Sequence, residues 1–169
     1  MLKILNFFVD LCLLRRVPQD LDGSARLFLA ALTANALAGL ILGLQTWGEM
    51  GTALVATLID LGVMFSLLRL ALMLKGVPHR LQQTATALLG AGVLFSLLAL
   101  PLQPLLDGED TAEIGALLYL GLVIWLQVVY GHVLRHAVDV TLPAGIGLAI
   151  VYTLTSAILI QLLFPLPAA

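Results

Sequence analysis

Charge is scarce in this 169-residue chain: eight Lys and Arg and ten Asp and Glu make up 11% of it, against 61% hydrophobic residues. Soluble domains carry about 25% charged and about 45–50% apolar residues. A water-soluble fold of this size exposes a large share of its area, and there is no polar coat here to cover it. Soluble globular enzymes, disordered tails and collagen-like chains are excluded. Cysteine is nearly absent as well. A single Cys12 excludes an internal disulfide, a thiolate metal cluster and a CxxC redox pair. Net charge is −2, without the basic excess that draws nucleic acid. Catalytic signatures are missing too: there is no GxSxG, no P-loop, no Gly-rich dinucleotide motif and no HExxH. An intramembrane serine protease needs His beside Ser within the bilayer, but His79, His132 and His136 all fall at span boundaries. The same positions exclude bis-His haem. The sequence predicts neither an enzyme nor a cofactor.

Long apolar runs are what the chain has instead. A helix needs about 20 apolar residues to cross the hydrocarbon core, and five stretches qualify, at about 27–46, 52–74, 82–105, 114–136 and 143–164. Short turn-forming segments separate them: Trp47–Gly51, Lys75–Arg80, Pro101 to Asp110, and Asp139–Pro143. The expected fold is an all-α polytopic bundle, with residues 1–25 forming an N-terminal segment and 26–169 a five-helix transmembrane domain. All eight basic residues, Lys3, Arg15, Arg16, Arg26, Arg69, Lys75, Arg80 and Arg135, then fall on one side. Glu49, Asp107, Glu109, Asp110 and Glu113 fall on the other, which has no basic residue. Lys- and Arg-rich short loops stay cytoplasmic, so the expectation is an N-terminus inside and a C-terminus outside, in a bacterial inner membrane. Arg15, Arg16, Arg26, Lys75, Arg80 and Arg135 then meet the membrane surface.

The apolar run Ile4–Leu14 is too short to span, and Lys3, Asn6 and Asp10 recur on one narrow helical face. Its strongest charges, Arg15 and Arg16, follow the apolar run rather than precede it, and no Ala-x-Ala lies near Pro18, which argues against a cleaved signal peptide. The segment reads as an uncleaved amphipathic helix at the interface, a role compatible with capping the bundle from below. Cys12 on it is a palmitoylation candidate or, more plainly, a buried thiol.

Polar residues inside the spans carry the functional question. Asp60 lies near the middle of the second span. An ionised carboxylate at that depth is expensive, so Asp60 requires a proton, hydrogen bonds within the bundle, or water. Asn35 in the first span, Gln127 in the fourth and Thr57 one turn before Asp60 are its candidate partners, with Thr33 and Tyr130 beside them. The cluster reads either as a proton or substrate site or as polar glue between helices. Small residues mark packing surfaces: Gly39 and Gly43 form a GxxxG pair, and Gly92 and Ser96 lie on the third span. The pair reads as internal packing or as a seam for a second copy or a partner. His132 and His136 are spaced i, i+4 with Asp139 beyond, a weak metal candidate that Arg135 opposes. The plainer account is a helix C-terminus meeting lipid phosphates. Arg69 reads as a snorkelling cation, or as a partner for Asp139. Gly62–Leu70 and Gly92–Leu100 match at seven of nine positions, which reads as an inverted-repeat remnant or as a coincidence of Leu-rich helices.

A cytoplasmic N-terminus, five tightly spaced helices, small-residue packing and an acidic outer loop resemble the Yip family of small membrane proteins. The resemblance covers about residues 26–165 and carries no diagnostic motif. The long cytoplasmic N-terminal region of eukaryotic members is replaced here by a short amphipathic helix. It implies a non-enzymatic membrane organiser. The expected function is therefore a scaffold or accessory subunit of a membrane complex, with the bilayer and a membrane-protein partner or second copy as its contacts. The alternative is a small transporter or proton-handling subunit working through Asp60.

Overall fold

A computed structural model describes residues 2–21, 23–108 and 110–165. Met1, Asp22, Glu109 of the expected acidic side, and residues 166–169 lie outside them. The described residues are helical, without a strand. Helix α1 covers Leu2–Cys12, α2 Ala25–Trp47, α3 Met50–Leu74, α4 Leu81–Ala99, α5 Gln103–Asp107, α6 Ala112–Val138 and α7 Leu142–Leu163. Five stretches, Ala25–Trp47, Met50–Leu74, Pro78–Leu106, Ala112–Val138 and Leu142–Leu163, are long and apolar enough to cross a membrane. These match the five stretches expected from hydrophobicity to within a few residues. Large apolar side chains such as Leu29, Leu37, Leu58, Leu117, Leu154 and Leu162 stand exposed on their outer faces. In water such a surface would be a severe liability; against acyl chains it costs nothing.

Local chemistry sets each boundary. Gly48 ends α2 at φ +71°, where its amide bonds back to the Leu44 carbonyl, the left-handed cap that glycine adopts without strain. Asp139 ends α6 in the same region at φ 50°, tolerated because a short polar side chain suits that conformation. The third span departs from a single straight helix. Pro101 has no amide to give the ladder, and the chain passes through a 3-10 turn, Leu100–Leu102, into the short α5. Leu14 is less expected. It sits at φ 61° while the amides of Leu14 and Arg15 bond to the carbonyls of Leu11 and Asp10. That is a Schellman cap with leucine in the glycine position, and it turns the chain sharply at the end of α1.

Helix α2 packs against α3 and α4, α3 against α7, α7 against α6, and α6 against α4, so the five long helices close a ring. Short turns make consecutive helices antiparallel. One end of the ring therefore carries Arg26, Lys75, Arg80 and Arg135, and the other carries Glu49, Asp110 and Glu113; they are called the basic and acidic ends below. Glycines let the backbones approach. Gly39 faces the Thr57 side chain, and Gly43 lies against Ala53, where a Cβ would stand 3.0 Å from the alanine methyl. Gly145 faces the Gly131 carbonyl, which joins α6 to α7. The GxxxG pair is thus consumed inside the bundle and offers no free seam. The first residues of the near-repeat differ in surroundings: Gly62 faces open space, whereas Gly92 is hemmed in by Asn35 and Tyr130.

Helix α1 does more than lie beneath the bundle. It packs on α4, and the turn Pro18–Asp20 that follows packs on α4 and α6. Leu11 is completely buried, and Phe8 occupies the space that a side chain at Gly90 would take. Around them lies a continuous core including Met64, Leu68, Leu72, Leu89, Val129 and Val133. Nearly all of this core belongs to the basic-end half.

Candidate functional site

Asp60 sits ten residues into α3 from Met50, and Tyr152 ten residues into α7 from Leu142. The two helices run in opposite directions, so each lies about 15 Å from its own end and both reach the midplane of a roughly 30 Å core. The Tyr152 hydroxyl donates toward both Asp60 oxygens at 2.9 Å, and the Ser156 hydroxyl donates to Oδ1 at 2.5 Å. Tyr152 and Ser156 are spaced i, i+4, one above the other on the same face of α7. Their hydroxyls stand in for the water that the carboxylate loses at this depth.

The Asp60 carboxylate opens into a cavity of about 460 Å³ at the centre of the ring, lined from all five long helices. Asn35, Gly92 and Tyr130 lie at its midplane floor; Thr46, Trp47, Ala99, Tyr119 and Gln161 line it toward the acidic end. Gly92 allows that floor to form, because a Cβ there would stand 2.5 Å from Asn35 Nδ2 and 2.9 Å from the Tyr130 hydroxyl. Asn35 Nδ2 donates to the Leu89 carbonyl at 3.1 Å. All three tyrosines of the chain line this cavity, together with Trp47 and Phe95. Asp60 is its one charged lining residue among the described residues. Tyr130 and Tyr152, 6.0 Å apart between ring centroids, also border a second cavity of about 400 Å³ on the basic side. Its wall is almost wholly aliphatic, from Met64 and Leu68 to Leu148 and Val151.

The four residues expected to cluster are therefore divided. Asp60 and Asn35 share a cavity wall. Gln127 turns to α7 and exchanges hydrogen bonds with Thr153 at 2.9 and 3.4 Å. Thr57 donates to the Ala53 carbonyl of its own helix and packs on Gly39. Gln127 thus ties α6 to α7 by hydrogen bonds, and Thr57 packs α3 on α2 by contact alone. Ser96 lines the cavity beside Gly92, so these two packing residues belong to the site. Tyr152 and Ser156 are its unforeseen members. Two hydroxyls at i, i+4 spacing, at the depth of Asp60 in an otherwise apolar span, are the signal that could have found them.

The cluster at the basic end has structural employment. Arg80 donates to the His136 and Ala137 carbonyls and pairs with Asp139 at 3.0 Å. Gln19 also donates to the His136 carbonyl, so side chains satisfy the last carbonyls of α6. Asp139 thus pairs with Arg80, and Arg69 is exposed without an ion-pair partner among the described residues. Buried His132 has its Nε2 2.9 Å from the Arg16 carbonyl, and Arg135 Nε donates to His136 Nε2 at 3.0 Å. The two imidazoles meet edge to face at 4.8 Å. No three His, Cys, Asp or Glu side chains among the described residues gather as a metal site would need. Arg15 and Arg16 are exposed. Cys12 is partly buried, and burial pushes its thiol from 9.0 up to about 11; the thiolate that acylation needs is correspondingly rare. Compared with family models, curated proteins and solved structures, the chain matches none.

Proposed function

We propose that this chain is a non-enzymatic integral membrane protein that admits protons or a small solute to Asp60 at the membrane midplane. One observation carries the reading: the central cavity ends on a carboxylate held by Tyr152 and Ser156, and that carboxylate is the single charge in its lining among the described residues. Ionisable groups kept at this depth mark ion and substrate paths by default. The scaffold reading loses one of its supports, since α3 fills the Gly39–Gly43 seam. The distribution of basic residues supports an N-terminus in the cytoplasm, with the cavity facing away from it, and the compact Leu-, Ala- and Gly-rich composition supports a bacterial inner membrane. The Yip-type likeness in span number agrees with a non-enzymatic role.

The test is proton flux into liposomes containing the purified chain, driven by an imposed potential and read with an entrapped pH dye. Wild type is expected to exceed empty liposomes, and Asp60→Asn to return to their level. Equal flux in both proteins overturns the proton arm, and an Asp60→Asn variant that also matches wild type in solute binding overturns the whole reading. Reporter fusions at each end test the orientation, which fails if both ends report the same compartment.

A further inference from the structure

The cavity differs from a simple proton path in its walls. A relay needs a file of hydroxyls and waters, whereas this chamber is of the size that holds a small organic molecule. Its lining is mainly apolar and aromatic: Tyr119, Tyr130, Tyr152, Trp47 and Phe95 surround the single carboxylate. Aromatic faces attract cations through the ring quadrupole. No Lys, Arg or His lines the cavity among the described residues, so nothing there neutralises Asp60 or welcomes an anion. A hard inorganic cation is a poor match, because it demands six or more oxygen ligands, and the polar groups here are few and dispersed.

We propose that the central cavity is a binding site for a lipophilic organic cation, its charge against Asp60 and its apolar body among Tyr119, Tyr130, Tyr152 and Phe95. The inference deepens the reading of Asp60 given above and rests on it. Protons and the cation compete for one carboxylate, so occupation by one excludes the other.

Equilibrium dialysis of the detergent-solubilised full chain against tetraphenylphosphonium and tetraphenylborate tests this, because the two ions share a shape and differ in sign. Binding is measured relative to empty micelles. Wild type is expected to bind the phosphonium saturably, and the borate about tenfold or more weakly, the ratio that about 1.4 kcal/mol of cation recognition gives. Asp60→Asn is expected to lose that preference and Asp60→Glu to keep part of it. The wild-type comparison needs no variant, so a misfolded substitution does not spare the proposal. Equal affinity for the two ions, or phosphonium binding retained in Asp60→Asn, overturns it. If the phosphonium fails to bind while Asp60→Asn still abolishes proton flux, the cation site falls and the reading of Asp60 as a proton-handling group stands. If neither flux nor binding responds to Asp60, both fall.

Discussion

The two halves of this bundle are built from the same five helices, yet they differ inside: the basic-end half holds a packed core beside an aliphatic cavity of about 400 Å³, and the acidic-end half holds a cavity of about 460 Å³ that opens on Asp60. In the basic-end half, α1 supplies a short sixth element, and Phe8 and Leu11 complete a core with Leu72, Leu89 and Val133. In the acidic-end half the short α5 packs on α6 but lines no part of the cavity of about 460 Å³ inside the ring. Five helices around a centre leave more space than their own side chains fill unless something is inserted. A segment too short to span the membrane can still supply core to one half. The polar residues follow the same division: Asp60, Asn35 and Tyr130 lie at the boundary, where the packed half gives way to the open one.

The comparison breaks most easily at the plug. Leu11→Ala removes a completely buried side chain and is expected to cost about 2–5 kcal/mol, read as a lowered Tm in detergent. Leu122→Ala, in the wall of the existing cavity, is expected to cost clearly less, because the space it vacates adjoins room already present. Equal losses would remove the distinction between the halves. Next in size is Gly90→Ala, whose methyl collides with the Phe8 ring; overpacking of this kind costs about 1–3 kcal/mol. Gly62→Ala and Gly147→Ala, which meet nothing within 4 Å, serve as controls expected to leave Tm unchanged or slightly raised.

Tyr152→Phe removes the hydroxyl that Asp60 shares between both oxygens. Intramembrane hydrogen bonds average about 0.6 kcal/mol and reach about 1.7, so its Tm loss is expected to be smaller than that of Leu11→Ala. A loss as large as that of Leu11→Ala would make the Asp60 cluster a structural element rather than a site.

Water access sharpens the contrast without reference to stability. The Cys12 thiol, raised by burial from 9.0 to about 11, holds its proton more tightly folded than unfolded. Its contribution to stability is complete below pH 9 and declines as pH rises toward 11. At pH 8 its alkylation is expected to be about a hundredfold slower than in the unfolded chain, in proportion to the thiolate fraction. A cysteine in the open half, Ser96→Cys in a Cys12→Ser background, is expected to react readily with a small water-soluble thiol reagent. If Cys12 reacts as fast as that cysteine, α1 does not bury its thiol against the bundle.

Sequence alone determined the fold class, the five spans and their ends, because a roughly 30 Å apolar solvent demands about 20 apolar residues at a time and every helix terminus needs a residue able to end it. It also singled out Asp60, since an acid at that depth is conspicuous wherever its neighbours lie. Only the tertiary structure decided which residues answer it. Asn35, Gln127 and Thr57 shared its depth, but depth is one coordinate, and the rotation of each helix about its axis is set by packing with its neighbours. That rotation brought Tyr152 and Ser156 to the carboxylate, sent Gln127 to Thr153, and spent Gly39 and Gly43 on α3. Hydrophobicity varies little around helices as uniformly apolar as these, so the pattern that orients a helix in water is silent here, and close contact between small residues sets the orientation instead.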